Sequence, residues 1–270
     1  MYSFRNLEKV TNDEDVFLPT ESMFFMDNDL PLESIIEGYQ TVQVTGRELA
    51  TPETNIQEKE FFNGGTYVNR RMPTREIKIK YLLAAKDSTE FRYSFRLLNQ
   101  QLFTREVFKF YFKDEPEYYW IGAVSAVEEF PAGRNQGFST FTITCVDPFK
   151  YPKNPYQITG EREFTIDEDI PYLTAPERIL IHYTEETSST YIRDDMGHEI
   201  TIKGTFAPPD EIEIIPNDPL KNFVYFYSNP APERLYYMSQ LQSFQVKKGS
   251  KLLLSGKATV TTLTVGAKQL

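Results

Sequence analysis

Cysteine, histidine and tryptophan are nearly missing from this chain: 270 residues carry one Cys, two His and one Trp. A single thiol, Cys145, cannot form an internal disulfide, and neither a CxxC pair nor a Cys/His cluster is present to hold zinc. GxSxG, HExxH and P-loop patterns are also absent, so no enzyme is expected, and no cofactor or metal. No apolar run is long enough to cross a bilayer. The opening MYSFRNLEKV lacks a basic stretch followed by an apolar one, so no secretory signal is expected. Positive charge is in deficit as well. Twenty-nine Lys and Arg face 39 Asp and Glu, a net charge of −10, which argues against a protein that grips nucleic acid.

What the chain has in quantity is aromatic and strand-forming residues: 21 Phe and 17 Tyr within a 40% hydrophobic composition. That is the composition of a folded, mainly β protein rather than a disordered one. The length allows two domains with separate cores.

In chain order, Phe4, Leu7 and Val10 can share a face, and Asn12–Asp15 reads as a solvated turn. Phe24 and Phe25 suggest a strand ended by Asp27–Asp29. Tyr39–Thr45, YQTVQVT, alternates with period two and reads as a strand. From about 46 to 72 the chain turns polar. Phe61 and Phe62 precede Asn63-Gly64-Gly65, a turn signal because glycine accepts positive φ without steric cost. A protruding strand-turn-strand arm and an ordinary loop both fit this composition. Ile77, Ile79 and Tyr81 then share one strand face. Asp87 and Glu90 resemble a capping box opening a helix of about 88–103, with Phe91, Phe95, Leu98 and Leu102 as its apolar stripe. Phe108, Phe110 and Phe112 alternate with Lys109 and Tyr111. Strands follow at Tyr118–Val127 and Phe138–Val146, and alternation sets Cys145 beside Phe141 and Ile143 as a buried, inert thiol. Pro148, Pro152 and Pro155 close this half near residue 150.

From 151 to 270 the texture changes to eight short alternating runs without a helix: EREFTI, ERILIHY, HEITIKG, DEIEIIP, NFVYFYS, SFQVKKG, KLLLSG and ATVTTLTV. This spacing predicts a β-sandwich. Arg193–Gly197 before His198 could be imagined as a metal loop, but EF-hand spacing is lacking and a hairpin tip explains the same residues. The adjacent pairs Glu128–Glu129 and Glu185–Glu186 point to opposite faces of a strand and make poor acid/base couples. Tyr225, Tyr227, Tyr236 and Tyr237 are candidates for a sugar- or partner-contacting platform, with core packing as the plainer reading.

Taken together, GREL (Gly46–Leu49), PTREIKI (Pro73–Ile79), a helix ending LLNQQLF, FKDEPEYYW (Phe112–Trp120) and FTITCVDPFKY (Phe141–Tyr151) stand in an order that resembles the distal tail proteins of long, non-contractile-tailed bacteriophages. DEIEIIPND and FQVKKGSKLLLSG in the second half fit in texture, although Val246–Lys251 replaces the Gly-Asn turn often found there. The resemblance implies an N-terminal β-sandwich (1–150) with one helix and a protruding hairpin arm, followed by a galectin-like or carbohydrate-module-like sandwich (151–270). It implies a homo-hexameric ring at the distal end of a phage tail, assembled in the host cytoplasm and leaving a channel through which DNA passes unbound. The expected partners are the tail tube protein, a tail-associated tip protein and a receptor-binding protein, with no membrane. The arm residues are then Arg47, Asn55, Phe61, Phe62, Asn63, Gly64, Gly65 and Tyr67. A carbohydrate-binding module contacting the host wall is the competing reading.

Overall fold

The structure is a computed structural model that describes residues 18–58, 60–61, 63–131, 133–215, 225–229, 237–238, 244–254 and 259–270. The segment containing Phe4, Leu7, Val10 and Asn12–Asp15 lies outside them, as do Phe62 and Tyr236. In order, the elements of the first half are β1 (Met23–Phe25), β2 (Leu30–Pro31), α1 (Leu32–Ile35), β3 (Tyr39–Thr45), β4 (Glu53–Glu58) and β5 (Gly65–Arg71). They continue with β6 (Arg75–Ala84), α2 (Ser88–Phe103), β7 (Phe108–Phe112), β8 (Glu115–Val127) and β9 (Gln136–Cys145). The second half adds β10 (Tyr151–Pro152), β11 (Tyr156–Gly160), β12 (Glu163–Thr165), β13 (Arg178–Tyr183), β14 (Thr187–Asp194) and β15 (Glu199–Phe206). It ends with β16 (Glu211–Ile215), β17 (Tyr225–Asn229), β18 (Tyr237–Met238), β19 (Lys251–Leu254) and β20 (Thr259–Val265). The protein is mainly β, as expected.

Two compact units share the chain. One holds the residues up to Glu48 with Arg75–Pro116 and Gly122–Cys145; the other holds Leu49–Thr74, Glu117–Ile121 and Val146–Leu270.

The first unit is built on the strand path β2-β1-β7-β8-β9-β6-β3. Period-two patterning decides its core. Ile77, Ile79 and Tyr81 of β6, Phe141, Ile143 and Cys145 of β9, and Phe108, Phe110 and Phe112 of β7 are all buried. β7 is buried on its second face too, where Tyr111 stacks on Phe24 at 4.9 Å. The α2 helix starts as its sequence predicts: Asp87 Oδ1 accepts from the Thr89 and Glu90 amides at 2.8 and 2.9 Å. Glu90 reaches back one residue beyond the cap, to the Lys86 amide. Of its stripe, Leu98 and Leu102 are buried, while Phe91 and Phe95 stay half-exposed and pack on Phe130.

The second unit contains a two-sheet sandwich of five strands each, β11-β20-β13-β16-β17 and β12-β19-β14-β15-β18. Its core draws Ile179, Ile181, Ile212, Ile214 and Leu263 from one sheet and Ile192, Ile200, Ile202, Leu252 and Leu254 from the other. Tyr183 and Phe206 stack across the two at 4.5 Å. Three sequence expectations are corrected here. SFQVKKG is no strand: Val246 makes an isolated bridge with Thr174. β11 and β14 are strands that the pattern did not announce, because Tyr156–Gly160 and Thr187–Asp194 are mostly polar edges of the alternation.

Candidate assembly arm and its root

Polar alternation without an apolar stripe gives β4 and β5 no reason to enter a core, and they do not. Among the described residues they pair only with each other, as a separate two-stranded ribbon in which every residue of both strands is exposed. The loop reading of 46–72 thus gives way to a hairpin. A bulge between Asn55 and Ile56 sets the register, with Ile56 opposite Tyr67 and Asn55 opposite Asn69. One face then carries Thr54, Ile56, Tyr67 and Arg70; the other carries Glu53, Asn55, Gln57, Thr66, Asn69 and Arg71, polar throughout. At the tip Phe61 is wholly exposed with φ of 67°, and Gly64 turns the chain at φ of 86° with nothing near its missing side chain. Asn63 and Gly65 belong to the same exposed tip.

Arg47, the remaining arm candidate, sits at the root and not on the ribbon. Its guanidinium makes a bidentate pair with Asp114, at 2.7 and 2.8 Å, and a third bond to Glu21 at 2.9 Å. Its Cζ lies 4.4 Å from the Phe112 ring centroid, a cation–π contact. The Asp114 and Glu21 carboxylates outweigh the cost of burying the cation and hold it firmly charged. Glu21 spends its other oxygen on the Val44 amide.

Beside it, Arg75 is buried at the start of β6. Its Nη1 donates to the carbonyl oxygens of Arg47 at 3.1 Å and Glu48 at 3.2 Å, and reaches that of Gly46 at 3.5 Å. Burial lowers the Arg75 pKa from its ordinary value. Gly46 itself must be glycine: φ is 93°, and a Cβ there would stand 2.0 Å from the Glu76 carbonyl oxygen. The Glu48 carboxylate accepts from the Gly46 amide, which closes the turn; hydrogen bonds from its own backbone amide and from that of Gly46 hold the carboxyl below its usual range. Three of the sequence motifs, GREL, PTREIKI and FKDEPEYYW, therefore meet at one place.

Elsewhere the candidates disperse. Tyr225 and Tyr227 lie in β17 and Tyr237 in β18, the outermost strands of their sheets. Arg193–His198 is a hairpin tip organised by buried Asp194, whose oxygens accept from the Met196 and His198 amides and meet His198 Nδ1 at 2.8 Å. Among the described residues no three His, Cys, Asp or Glu side chains gather as a metal site.

Residues 32–146 match the family described as the phage tail protein RIFT-related domain. This covers most of the β-sheet unit and includes the ribbon and its root. One solved structure shares the fold over nearly its whole length. The SPP1 Dit protein, described as a paradigm of hub adsorption apparatus in Gram-positive-infecting phages, superposes with a TM-score of 0.68 at 16% identity, covering 92% of this chain and 99% of that one. Two structures of the phage p2 baseplate in its activated conformation give TM-scores of 0.49 and 0.45 at 14% and 12% identity, covering 84% and 86% of this chain and 90% and 91% of theirs. No curated protein sequence matches. The chain thus has the fold of a siphophage distal tail protein, the resemblance its motifs carry.

Proposed function

We propose that this chain is a structural hub of a phage tail tip, forming a six-membered ring between the tail tube and the tip proteins. The observation that carries the reading is the ribbon. An isolated two-stranded hairpin is marginally stable in water, and this one leaves Ile56, Phe61, Tyr67 and Val68 uncovered. A neighbouring copy that covers the Ile56–Tyr67 face supplies what the ribbon lacks, and one head-to-tail contact repeated six times closes a ring. The acidic balance suits a channel for DNA, because a lumen without a cationic lining does not retain phosphates in transit. The same reading places the protein at the distal end of the virion tail and gives it no catalytic task.

Negative-stain images of the purified chain, with and without residues 55–67, test this. The full chain is expected to yield rings with a central hole, and the deletion to yield folded single subunits, since the described residues of the removed stretch are all exposed. Rings that persist after deletion would sink the role of the ribbon.

A further inference from the structure

We infer that Arg47 and Arg75 are positioning residues that clamp both roots of the ribbon before a neighbour is met. The inference rests on the ribbon being the assembly contact. The chain leaves toward β4 just after Glu48 and returns from β5 just before Arg75. Arg75 Nη1 donates to carbonyl oxygens of the outgoing root, so one side chain ties departure to return. Arg47, on the outgoing root, is in turn anchored to Asp114, 67 positions away, and to Glu21. All of these clamp residues lie in the first unit. Pro52 and Pro73 stand between the clamp and the ribbon with φ fixed by their rings. The linkers from the clamp to the first ladder pair, Glu53 opposite Arg71, are thus short, Leu49–Pro52 on the way out and Met72–Thr74 on the way back.

The physical consequence is preorganisation. A contact that must first immobilise a swinging ribbon loses affinity to that ordering; a ribbon with fixed roots does not. Guanidinium suits the task better than ammonium. Its planar fork holds Asp114 bidentately while its face lies on Phe112, and lysine can do neither.

The test places spin labels at Asn63→Cys on the tip and Lys80→Cys on β6, both exposed, while buried Cys145 stays unlabelled. Distance distributions are compared for the parent, Arg75→Met and Asp114→Ala. The second variant cuts the Arg47 anchor from a more exposed position and covers the case in which Arg75→Met fails to fold. Expected is a broadened distribution at unchanged circular dichroism, with ring formation shifted to about tenfold higher protein concentration, equivalent to ~1.4 kcal/mol. Arg47→Lys is expected to broaden the distribution as well. An unchanged distribution in whichever of Asp114→Ala and Arg75→Met folds overturns the clamp. If deletion of 55–67 still abolishes rings, the ribbon reading survives that failure; if the deletion leaves rings intact, the ribbon reading fails whatever the labels show.

Discussion

Two glycines turn the chain around the ribbon, and they differ in what surrounds them. Gly46 and Gly64 both have positive φ, but only Gly46 is pressed against backbone, the Glu76 carbonyl. Gly64→Ala is expected to cost about 1–2 kcal/mol, the left-handed penalty alone. Gly46→Ala adds a clash that only a backbone shift relieves, and thermal unfolding is expected to show a clearly larger loss. Equal losses would mean that the root turn is not as tightly built as described. A second prediction belongs to Asp87. Hydrogen bonds from the Glu90 and Thr89 amides hold its carboxyl below the ordinary range. A carboxyl with a depressed folded pKa stabilises above its unfolded value, near 3.9, and that contribution is lost as pH falls through the folded value. Asp87→Asn keeps the capping oxygen but removes the titration. Melts followed by circular dichroism between about pH 2 and 6 should show a shallower acid loss for the asparagine variant.

At the scale of elements, much was legible. Tyr39–Thr45 is a strand over the stretch whose alternation predicted it, and α2 occupies Ser88–Phe103 because cap and stripe are local signals. The ribbon was only half legible. Glycines and polarity mark a turn between two segments, but whether these pair with each other or hang as a loop depends on register, which composition does not carry. β14 was missed for a related reason. Its inward residues are Thr190, Ile192 and Asp194, and a buried threonine and aspartate do not look like core until Tyr183 and His198 are seen bonding to them. SFQVKKG failed in the opposite direction, having the pattern of a strand without a partner along its length.

At the scale of the whole molecule, charge is the property that assembly must contend with. In the proposed ring, subunits at −10 would repel one another, and six together would sum to about −60. Raising salt from roughly 0.01 to 0.1 M shortens the screening length from about 30 to about 10 Å. Ring formation measured by sedimentation is therefore expected to strengthen with salt over this range, because an apolar Ile56–Tyr67 contact is not itself screened. Weakening with salt would point instead to an interface held by ion pairs.

The sequence alone determined what local physics can write: strands by period-two alternation, one capped helix, a turn at Asn63-Gly64-Gly65, and an acidic chain without catalytic sets. Its ordered motifs also pointed to the tail-protein fold. Only the tertiary structure decided where the motifs meet. Arg47 and Asp114 are 67 positions apart and Glu21 lies 26 before Arg47, so no window of sequence shows that they form one hydrogen-bonded cluster. That meeting is set by the order of strands in the sheet and by the burial that makes an unpaired guanidinium costly, and neither is a property of any one segment.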